Sequence, residues 1–145
     1  MDMLFFDTSA LVKRYAEEPG SQRVDELIDS DRTVVISSLA IIETVSAFKR
    51  KHNRGQLTES RMNRLLGLFF EEALEDFVII PIEESIVSFS FELVLENDLR
   101  TLDSLQLSAA ISVDTADTEV TFVSADTELT AAATVHGLSV ESPTE

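Results

Sequence analysis

The sequence contains no cysteine and no tryptophan, and only two histidines, His52 and His136, among its 145 residues. Without cysteine the chain can form no disulfide, no thiolate nucleophile and no cysteine-ligated zinc site. Two histidines are too few for a histidine-rich metal centre. The chain also lacks an apolar run of the ~20 residues that a membrane-spanning helix needs. These absences exclude several classes of cysteine-dependent, zinc-dependent and membrane protein.

The amino-terminal residues, MDMLFFDTSA, have no basic segment ahead of a short apolar stretch, so the sequence predicts no signal peptide. We therefore expect a cytoplasmic protein. At this length we also expect one domain over residues 1–145 with its own hydrophobic core. Residues 141–145 are expected to form a frayed tail.

Basic residues are scarce: 11 lysines and arginines stand against 27 acidic residues, for a net charge of −16. One interpretation is a highly soluble acidic protein that repels nucleic acid. The interpretation that we favour is adaptation to molar salt, because an acidic surface with few lysines is typical of halophilic proteins. At ~1 M salt the Debye length falls to ~3 Å, so net charge would then say little about partners.

Six of the eleven basic residues fall between residues 44 and 70, where Glu59 is the only acid. This basic segment therefore carries a net charge of +5, whereas the rest of the chain totals −21. Its members are Lys49, Arg50, Lys51, Arg54, Arg61 and Arg64.

Short apolar runs alternate with helical patterns, which predicts an α/β fold with βα units and a parallel sheet. We expect three layers, α/β/α, around a central, mostly parallel sheet of five strands near residues 3–6, 33–36, 77–80, 120–123 and 138–140. Helices are expected over about 9–17, 21–29, 37–52, 58–73, 83–96, 102–113 and 126–136. Ser37 or Ser38 is expected to cap the third of these helices and Thr58 the fourth. The apolar stripe over residues 62–73 could face the core or a dimer interface, and the core is favoured.

Four acidic residues lie among apolar or small residues near the expected strand ends: Asp7, Glu43, Asp103 and Asp126. In an open parallel sheet, ligands bind beyond the carboxyl ends of the strands. Carboxylates beside a hydrophobic core are costly unless something positive meets them. Four that converge would form an oxygen-rich pocket suited to Mg²⁺ or Mn²⁺.

Two of these acids also have a simpler interpretation. Asp7 and Asp126 stand where helices begin, and Asp is a favoured helix cap. The neighbouring hydroxyls of Ser9 and Ser124 could orient the two carboxylates by hydrogen bonds.

The other two acids lie inside helices, where a simple ion pair is the alternative. Glu43 has Arg50 seven residues later, which is a weak partner. Asp103 has Arg100 three residues earlier, which is a more plausible but still modest one.

Taken in order, these motifs resemble the PIN-domain ribonucleases, in particular the VapC-type toxins of prokaryotic toxin–antitoxin pairs. The resemblance covers nearly the whole chain. That family opens with an apolar strand ending in Asp-x-Ser, here residues 7–9, and places a glutamate after the second strand, here Glu43. A later helix carries an aspartate before an Ala-Ala pair, here Asp103 and 109–110. A Ser/Thr-x-Asp follows the fourth strand, here residues 124–126.

The resemblance implies a divalent-metal-dependent endoribonuclease that acts as the toxin of such a pair. It implies one or two Mg²⁺ or Mn²⁺ ions as cofactor, an RNA substrate, a small antitoxin protein that blocks the cleft, and a homodimer. The residues implied as catalytic and as metal ligands are Asp7, Glu43, Asp103 and Asp126, with Ser9 and Ser124 orienting them.

RNA would have to approach a negative pocket, so the basic segment is the expected electrostatic guide. Runs of charge are usually solvated helix faces, but this one is exceptional within so acidic a chain. The expected RNA-contacting residues are Lys13, Arg14, Lys49, Arg50, Arg54, Arg61 and Arg64.

Other acidic-pocket folds fit less well. A receiver-like phosphoacceptor domain needs a lysine near its last strand, and no lysine lies beyond Lys51. A haloacid-dehalogenase-type phosphatase needs Asp-x-Asp after the first strand, where Ser9 takes the place of the second aspartate. A flap-type DNA nuclease would be longer and richer in acids. The remaining alternative is a catalytically silent PIN-like RNA-binding or interaction module, against which the presence of all four acids counts.

Overall fold

A computed structural model describes residues 2–144, and its centre is a sheet of five parallel strands. The spatial order is β3-β2-β1-β4-β5, so β1 is the central strand. The predicted parallel sheet is confirmed, and no antiparallel strand joins it within residues 2–144. The strands are β1 (Asp2–Phe6), β2 (Thr33–Ser37), β3 (Val78–Ile80), β4 (Glu119–Val123) and β5 (Ser139–Glu141).

Seven α-helices connect these strands within the described part of the chain, and a 3-10 turn over Val12–Arg14 extends the first of them. The helices are α1 (Thr8–Leu11), α2 (Ser21–Ile28), α3 (Ser38–Asn53), α4 (Glu59–Asp76), α5 (Glu84–Asn97), α6 (Thr101–Val113) and α7 (Thr127–Val135).

The alternation of side chains along β1 explains why helices cover both faces of the sheet. Leu4 and Phe6 are fully buried in one core, which α1 to α4 complete. Phe5 is fully buried in the other core, which α5 to α7 complete. There its ring stacks on that of Phe122, with centroids 5.9 Å apart. The result is the three-layer α/β/α arrangement that the sequence predicted.

Two of the predicted helix caps are present, and they fix where each helix of the α3–α4 hairpin begins. The Ser37 hydroxyl accepts a hydrogen bond from the Ala40 amide at 3.3 Å, which caps α3. The Thr58 hydroxyl accepts one from the Arg61 amide at 3.1 Å, which caps α4. Between these helices Gly55 has a φ of +77°, a left-handed conformation that glycine adopts without strain.

The apolar stripe of α4 mostly faces the core, as favoured from the sequence. Leu65, Phe69 and Ala73 are buried there. Phe70 is the exception, because 40 % of it remains exposed on the outer side of the helix.

One prediction about a chain segment was wrong. The helix expected over residues 9–17 is only one turn long before it tightens into the 3-10 turn. Tyr15, directly after that turn, packs against Phe69 and donates a hydrogen bond to Glu72. The fraying expected over residues 141–145 stays a prediction. Glu141 is the last residue of β5, which pairs with β4, and Pro143 is buried. Residue 145 lies outside the described residues.

No helix within residues 2–144 combines the length and the apolar character that crossing a bilayer requires.

Candidate active site

A cleft of about 390 Å³ opens at the carboxyl end of the sheet, and all four predicted acids line it. Asp7 directly follows β1, and Asp126 follows β4, its neighbour in the sheet. Glu43 comes from the second turn of α3, and Asp103 from the first turn of α6. Because β1, β2 and β4 are parallel neighbours, the segments that follow them meet at this edge.

Asp7 is the most buried of the four acids, with only 4 % of its surface exposed. Its Oδ2 accepts hydrogen bonds from the Ser9 hydroxyl at 2.6 Å and the Ser124 hydroxyl at 2.8 Å. Burial raises the pKa of Asp7, whereas the two hydroxyls and the nearby amides of Thr8 and Ser9 lower it. The side chain makes no capping hydrogen bond to α1, so its burial is not explained by a helix cap.

Glu43 is half-buried, and one of its oxygens is held by two donors. Its Oε1 accepts hydrogen bonds from Gln106 Nε2 at 2.8 Å and from the Thr8 hydroxyl at 3.2 Å. Burial raises the pKa of Glu43, and the charge of Asp7 adds to that rise. The hydrogen bonds and the positive charge of Arg50 oppose it.

The pKa of Asp103 shows most clearly that the four acids share one pocket. Burial raises its pKa to about 6, and the negative charges of Asp7, Asp126 and Glu43 each contribute to that rise. Arg100 lowers the pKa of Asp103, but the two side chains form no ion pair among the contacts of residues 2–144. The simple ion pair considered from the sequence is therefore absent.

Asp126 does act as a helix cap. Its Oδ1 accepts hydrogen bonds from the amides of Glu128 at 2.9 Å and Leu129 at 3.2 Å at the start of α7. Ser124 was expected to orient this carboxylate, but its hydroxyl donates to Asp7 and accepts from the Asp126 backbone amide at 3.0 Å. Ser124 therefore orients Asp7, because its hydroxyl hydrogen is already committed there.

Sequence reasoning missed Gln106, which is fully buried in α6 and bonded to Glu43. It lies three residues after Asp103, on the same side of the helix. The available signal was a polar amide in the middle of the otherwise apolar and small-residue segment LQLSAA.

The cleft offers carboxylate and hydroxyl oxygens, the ligand chemistry that Mg²⁺ and Mn²⁺ prefer. The sequence predicted that the four acids converge. Within residues 2–144, however, no three acidic or histidine side chains are gathered closely enough to hold a metal ion as they stand. Like charges repel, and hydrogen bonds hold one oxygen each of Asp7, Glu43 and Asp126. The donor set therefore fits an ion that keeps several water ligands, as Mg²⁺ commonly does.

The basic residues predicted to contact RNA fall into three groups, two of which lie on the α3–α4 hairpin. Arg50 lines the cleft itself and forms no ion pair with any residue in the 2–144 range. Exposed on the same hairpin are Lys49, Arg54, Arg61 and Arg64.

Lys13 and Arg14 were predicted as RNA contacts, but the structure shows both engaged by acids. Lys13 is buried and pairs with Glu18 at 3.2 Å. Arg14 bonds to Glu72 at 2.9 Å and also pairs with Asp25 of α2 and with Asp29, which directly follows that helix. The positive charges of both residues are therefore balanced by acids, and their contact with RNA stays a prediction.

Solved structures of known proteins share this fold. Chains similar to this one occur in the crystal structure of VapBC2 from Rickettsia felis bound to a DNA fragment from its promoter (19 % identity, 97 % and 98 % of the two chains covered, TM-score 0.68). A similar chain also occurs in the crystal structure of FitAcB from Neisseria gonorrhoeae (17 % identity, 97 % and 98 % of the two chains covered, TM-score 0.68). A third similar structure is that of VapC20 from Mycobacterium tuberculosis, described as a sarcin-ricin loop cleaving toxin (12 % identity, 89 % and 94 % of the two chains covered, TM-score 0.67). At these identities the likeness shows the fold alone.

Comparison with curated proteins finds no sequence match. The family model of the PIN domain, in contrast, matches residues 4–135, which include all four acids of the cleft. That match spans most of the chain and agrees with the parallel sheet and the position of the cleft. The chain belongs to the PIN domain family.

Proposed function

We propose that this protein is a divalent-metal-dependent endoribonuclease that acts as the toxin of a toxin–antitoxin pair. The observation that carries the proposal is the placement of Asp7, Glu43, Asp103 and Asp126, from four separate segments, on one cleft of a PIN fold. Burial and neighbouring negative charges raise the pKa of Glu43 and of Asp103. A bound cation would offset both effects, which also supports the proposal. A structural neighbour, VapC20, is described as a sarcin-ricin loop cleaving toxin.

In this mechanism the four carboxylates hold one or two Mg²⁺ or Mn²⁺ ions, partly through water. When bound, such an ion activates a water molecule and neutralises charge on the phosphate. Ser9 and Ser124 keep Asp7 oriented through its Oδ2. Among the residues that line the cleft, carboxylates are the only groups that can exchange a proton near neutral pH, since no histidine lies there.

Arg50 is the proposed contact to the RNA backbone closest to the reaction. It lines the cleft beside the acids and forms no ion pair among residues 2–144, so its guanidinium is available to a phosphate. The exposed Lys49, Arg54, Arg61 and Arg64 extend this positive surface along the hairpin. We expect them to contribute less, because exposed charges are screened by salt.

An antitoxin and a second copy of the chain are the proposed protein partners. The structural neighbours include toxin–antitoxin complexes, three of them bound to DNA. For the homodimer, the candidate surface is the outer face of α5, where Phe91 is 61 % exposed and Leu95 is 84 % exposed. Light scattering on the purified protein tests this, and a monomer at micromolar concentration would contradict it.

We further propose that the acidic surface is an adaptation to molar salt in a halophilic archaeon, and that the protein acts in the cytoplasm. At molar salt, repulsion among 27 acids is screened and the folded state becomes more stable. Thermal melting in low and in molar potassium chloride tests this part. A midpoint that does not rise with salt would contradict it.

The experiment that tests the main proposal is cleavage of total RNA by the purified protein with Mn²⁺ or Mg²⁺, repeated with a chelator. Asp7→Asn should abolish cleavage, because the variant removes a buried negative charge of the cleft while keeping its hydrogen-bond acceptor. Asp31→Asn, which removes an exposed charge in the turn before β2, is the matched control. RNA binding without cleavage by the wild type would instead support the catalytically silent module.

A further inference from the structure

Gln106 makes three hydrogen bonds, two of them to residues that line the cleft and one to the end of β2. Its side chain is fully buried. The Nε2 amide donates to Glu43 Oε1 at 2.8 Å and to the Thr8 hydroxyl at 3.1 Å. The Oε1 atom accepts from the Ser37 hydroxyl at 2.8 Å, at the end of β2. Residues from β2, α1 and α3 thus meet at one amide of α6.

Every donor and acceptor in this network has one consistent role. The Ser37 hydroxyl accepts from the Ala40 amide, so its hydrogen is free to donate to the oxygen of Gln106. Both amide hydrogens of Gln106 are then used, one on Glu43 and one on Thr8. The Thr8 hydroxyl accepts from Gln106 and donates to Glu43. The opposite orientation of the amide would place its oxygen against the carboxylate, which is repulsive.

Because of this network, the two oxygens of Glu43 are not equivalent. Oε1 receives both hydrogen bonds, whereas Oε2 has no hydrogen-bond or ion-pair partner among the described residues. We infer that Gln106 is a positioning residue that fixes Oε1 of Glu43 and thereby presents Oε2 to a divalent cation. This inference rests on the proposed metal-dependent function, and it names a residue outside the four acids.

A purely structural role for Gln106 is the competing explanation, because a buried amide must be hydrogen-bonded wherever it lies. The two explanations differ in what they predict for the folded protein. A structural role lowers the melting midpoint and leaves the cation affinity of folded molecules unchanged. A positioning role lowers the cation affinity itself, typically 10–100-fold when a partner of a metal ligand is removed.

The test is isothermal titration of Mn²⁺ into the wild type and Gln106→Leu, well below the melting midpoint of each and without RNA. Leucine keeps the apolar packing and removes all three hydrogen bonds. The control is Ser108→Ala, which removes another buried hydrogen bond of α6, from the Ser108 hydroxyl to the Ile86 carbonyl at 2.7 Å. We expect Gln106→Leu to bind Mn²⁺ about 10–100-fold more weakly, and Ser108→Ala to bind like the wild type. Saturating Mn²⁺ should then restore most of the RNA cleavage by Gln106→Leu.

A folded Gln106→Leu protein with wild-type affinity would overturn the inference. So would equal weakening by Ser108→Ala. If Gln106→Leu does not fold, Ser37→Ala takes its place, since it frees the Gln106 oxygen and leaves both donors to the cleft. It should weaken Mn²⁺ binding in the same direction, and unchanged affinity would refute the role. A wild type that binds no Mn²⁺ would instead contradict the proposed function.

Discussion

Replacing Asp103 by asparagine is expected to stabilise the metal-free protein while removing its response to metal. Asparagine has nearly the same shape as aspartate but carries no charge. Asp103 lies in the first turn of α6 and is half-buried, facing the charges of three other acids. The substitution therefore removes repulsion from the cleft and leaves the backbone and the neighbouring contacts in place.

The size of the effect follows from the pKa of Asp103, which rises from 3.8 to about 6 in the folded protein. A rise of about two in a pKa, at ~1.36 kcal/mol for each, gives an upper limit of ~3 kcal/mol. The rise comes first from burial and then from the three neighbouring charges, and because Asp103 is about half exposed, solvent reduces both contributions. We expect Asp103→Asn to gain about 1–2 kcal/mol at pH 7, with the melting midpoint rising ~2–4 °C for each kcal/mol.

The sign of the pH dependence follows from the same shift. The folded state binds this proton more tightly than the unfolded chain does, so the stability from this group is greatest below the unfolded pKa of 3.8. That stability is lost as the pH rises toward about 6 and stays lost above it. The difference between wild type and variant should therefore be largest at neutral pH and shrink as the pH falls.

The assay is thermal melting of the wild type, Asp103→Asn and the control Asp31→Asn across this pH range, with chelator and then with Mn²⁺. Saturating the wild type at a hundredfold the dissociation constant should add about 2.7 kcal/mol, whereas Asp103→Asn should gain much less. If the variant were less stable than the wild type without metal, or no more stable than Asp31→Asn, the electrostatic reasoning would be refuted.

Three further predictions concern the proposed RNA-binding surface and the stability of the fold. Arg50→Gln should lower RNA cleavage at low salt at least tenfold, which corresponds to about 1.4 kcal/mol. Lys49→Gln, on the same helix but outside the cleft, should lower cleavage less. Equal effects of the two variants in a cleavage assay would count against Arg50 as the phosphate contact. Phe69→Ala should lower the free energy of unfolding by about 3–5 kcal/mol, because the ring is fully buried. Denaturant melts should show a much smaller loss for Phe70→Ala, since that residue is 40 % exposed. Arg14→Gln should destabilise by about 1–3 kcal/mol, since it leaves three carboxylates without their shared cation, and an unchanged denaturation midpoint would show that this network contributes nothing.

The parts of the fold that were predictable from sequence depend on local patterns. The apolar run of β1 followed by Asp7 marked the first strand and one acid of the cleft together. Ser37 and Thr58 marked helix starts because a capping hydroxyl acts within three residues of its own position. Parallel pairing then followed from the alternation of strands and helices.

The features that were missed depend on contacts between residues distant in sequence. Gln106 acquires its role from Thr8, Ser37 and Glu43, which precede it by 98, 69 and 63 residues. Nothing in the neighbourhood of Gln106 indicates those partners.

The same cause explains why the sequence did not show that Lys13 and Arg14 are paired with acids. Arg14 pairs with Glu72, 58 residues away, and Lys13 turns inward to Glu18. Composition identified an unusual concentration of positive charge, but only the three-dimensional arrangement shows which cations are already neutralised. Arg50 is distinguished from Arg14 by having no acidic partner within residues 2–144.

The central claim is that the carboxylates of one cleft hold a divalent cation together, although no three of them are gathered for it within residues 2–144. The most direct measurement is an anomalous difference map from crystals grown with Mn²⁺. We predict a peak in the cleft, about 2.0–2.5 Å from at least one oxygen of the four acids, and water ligands that connect it to the others. A cleft without a peak at saturating Mn²⁺, or Mn²⁺ bound only elsewhere on the acidic surface, would contradict the account.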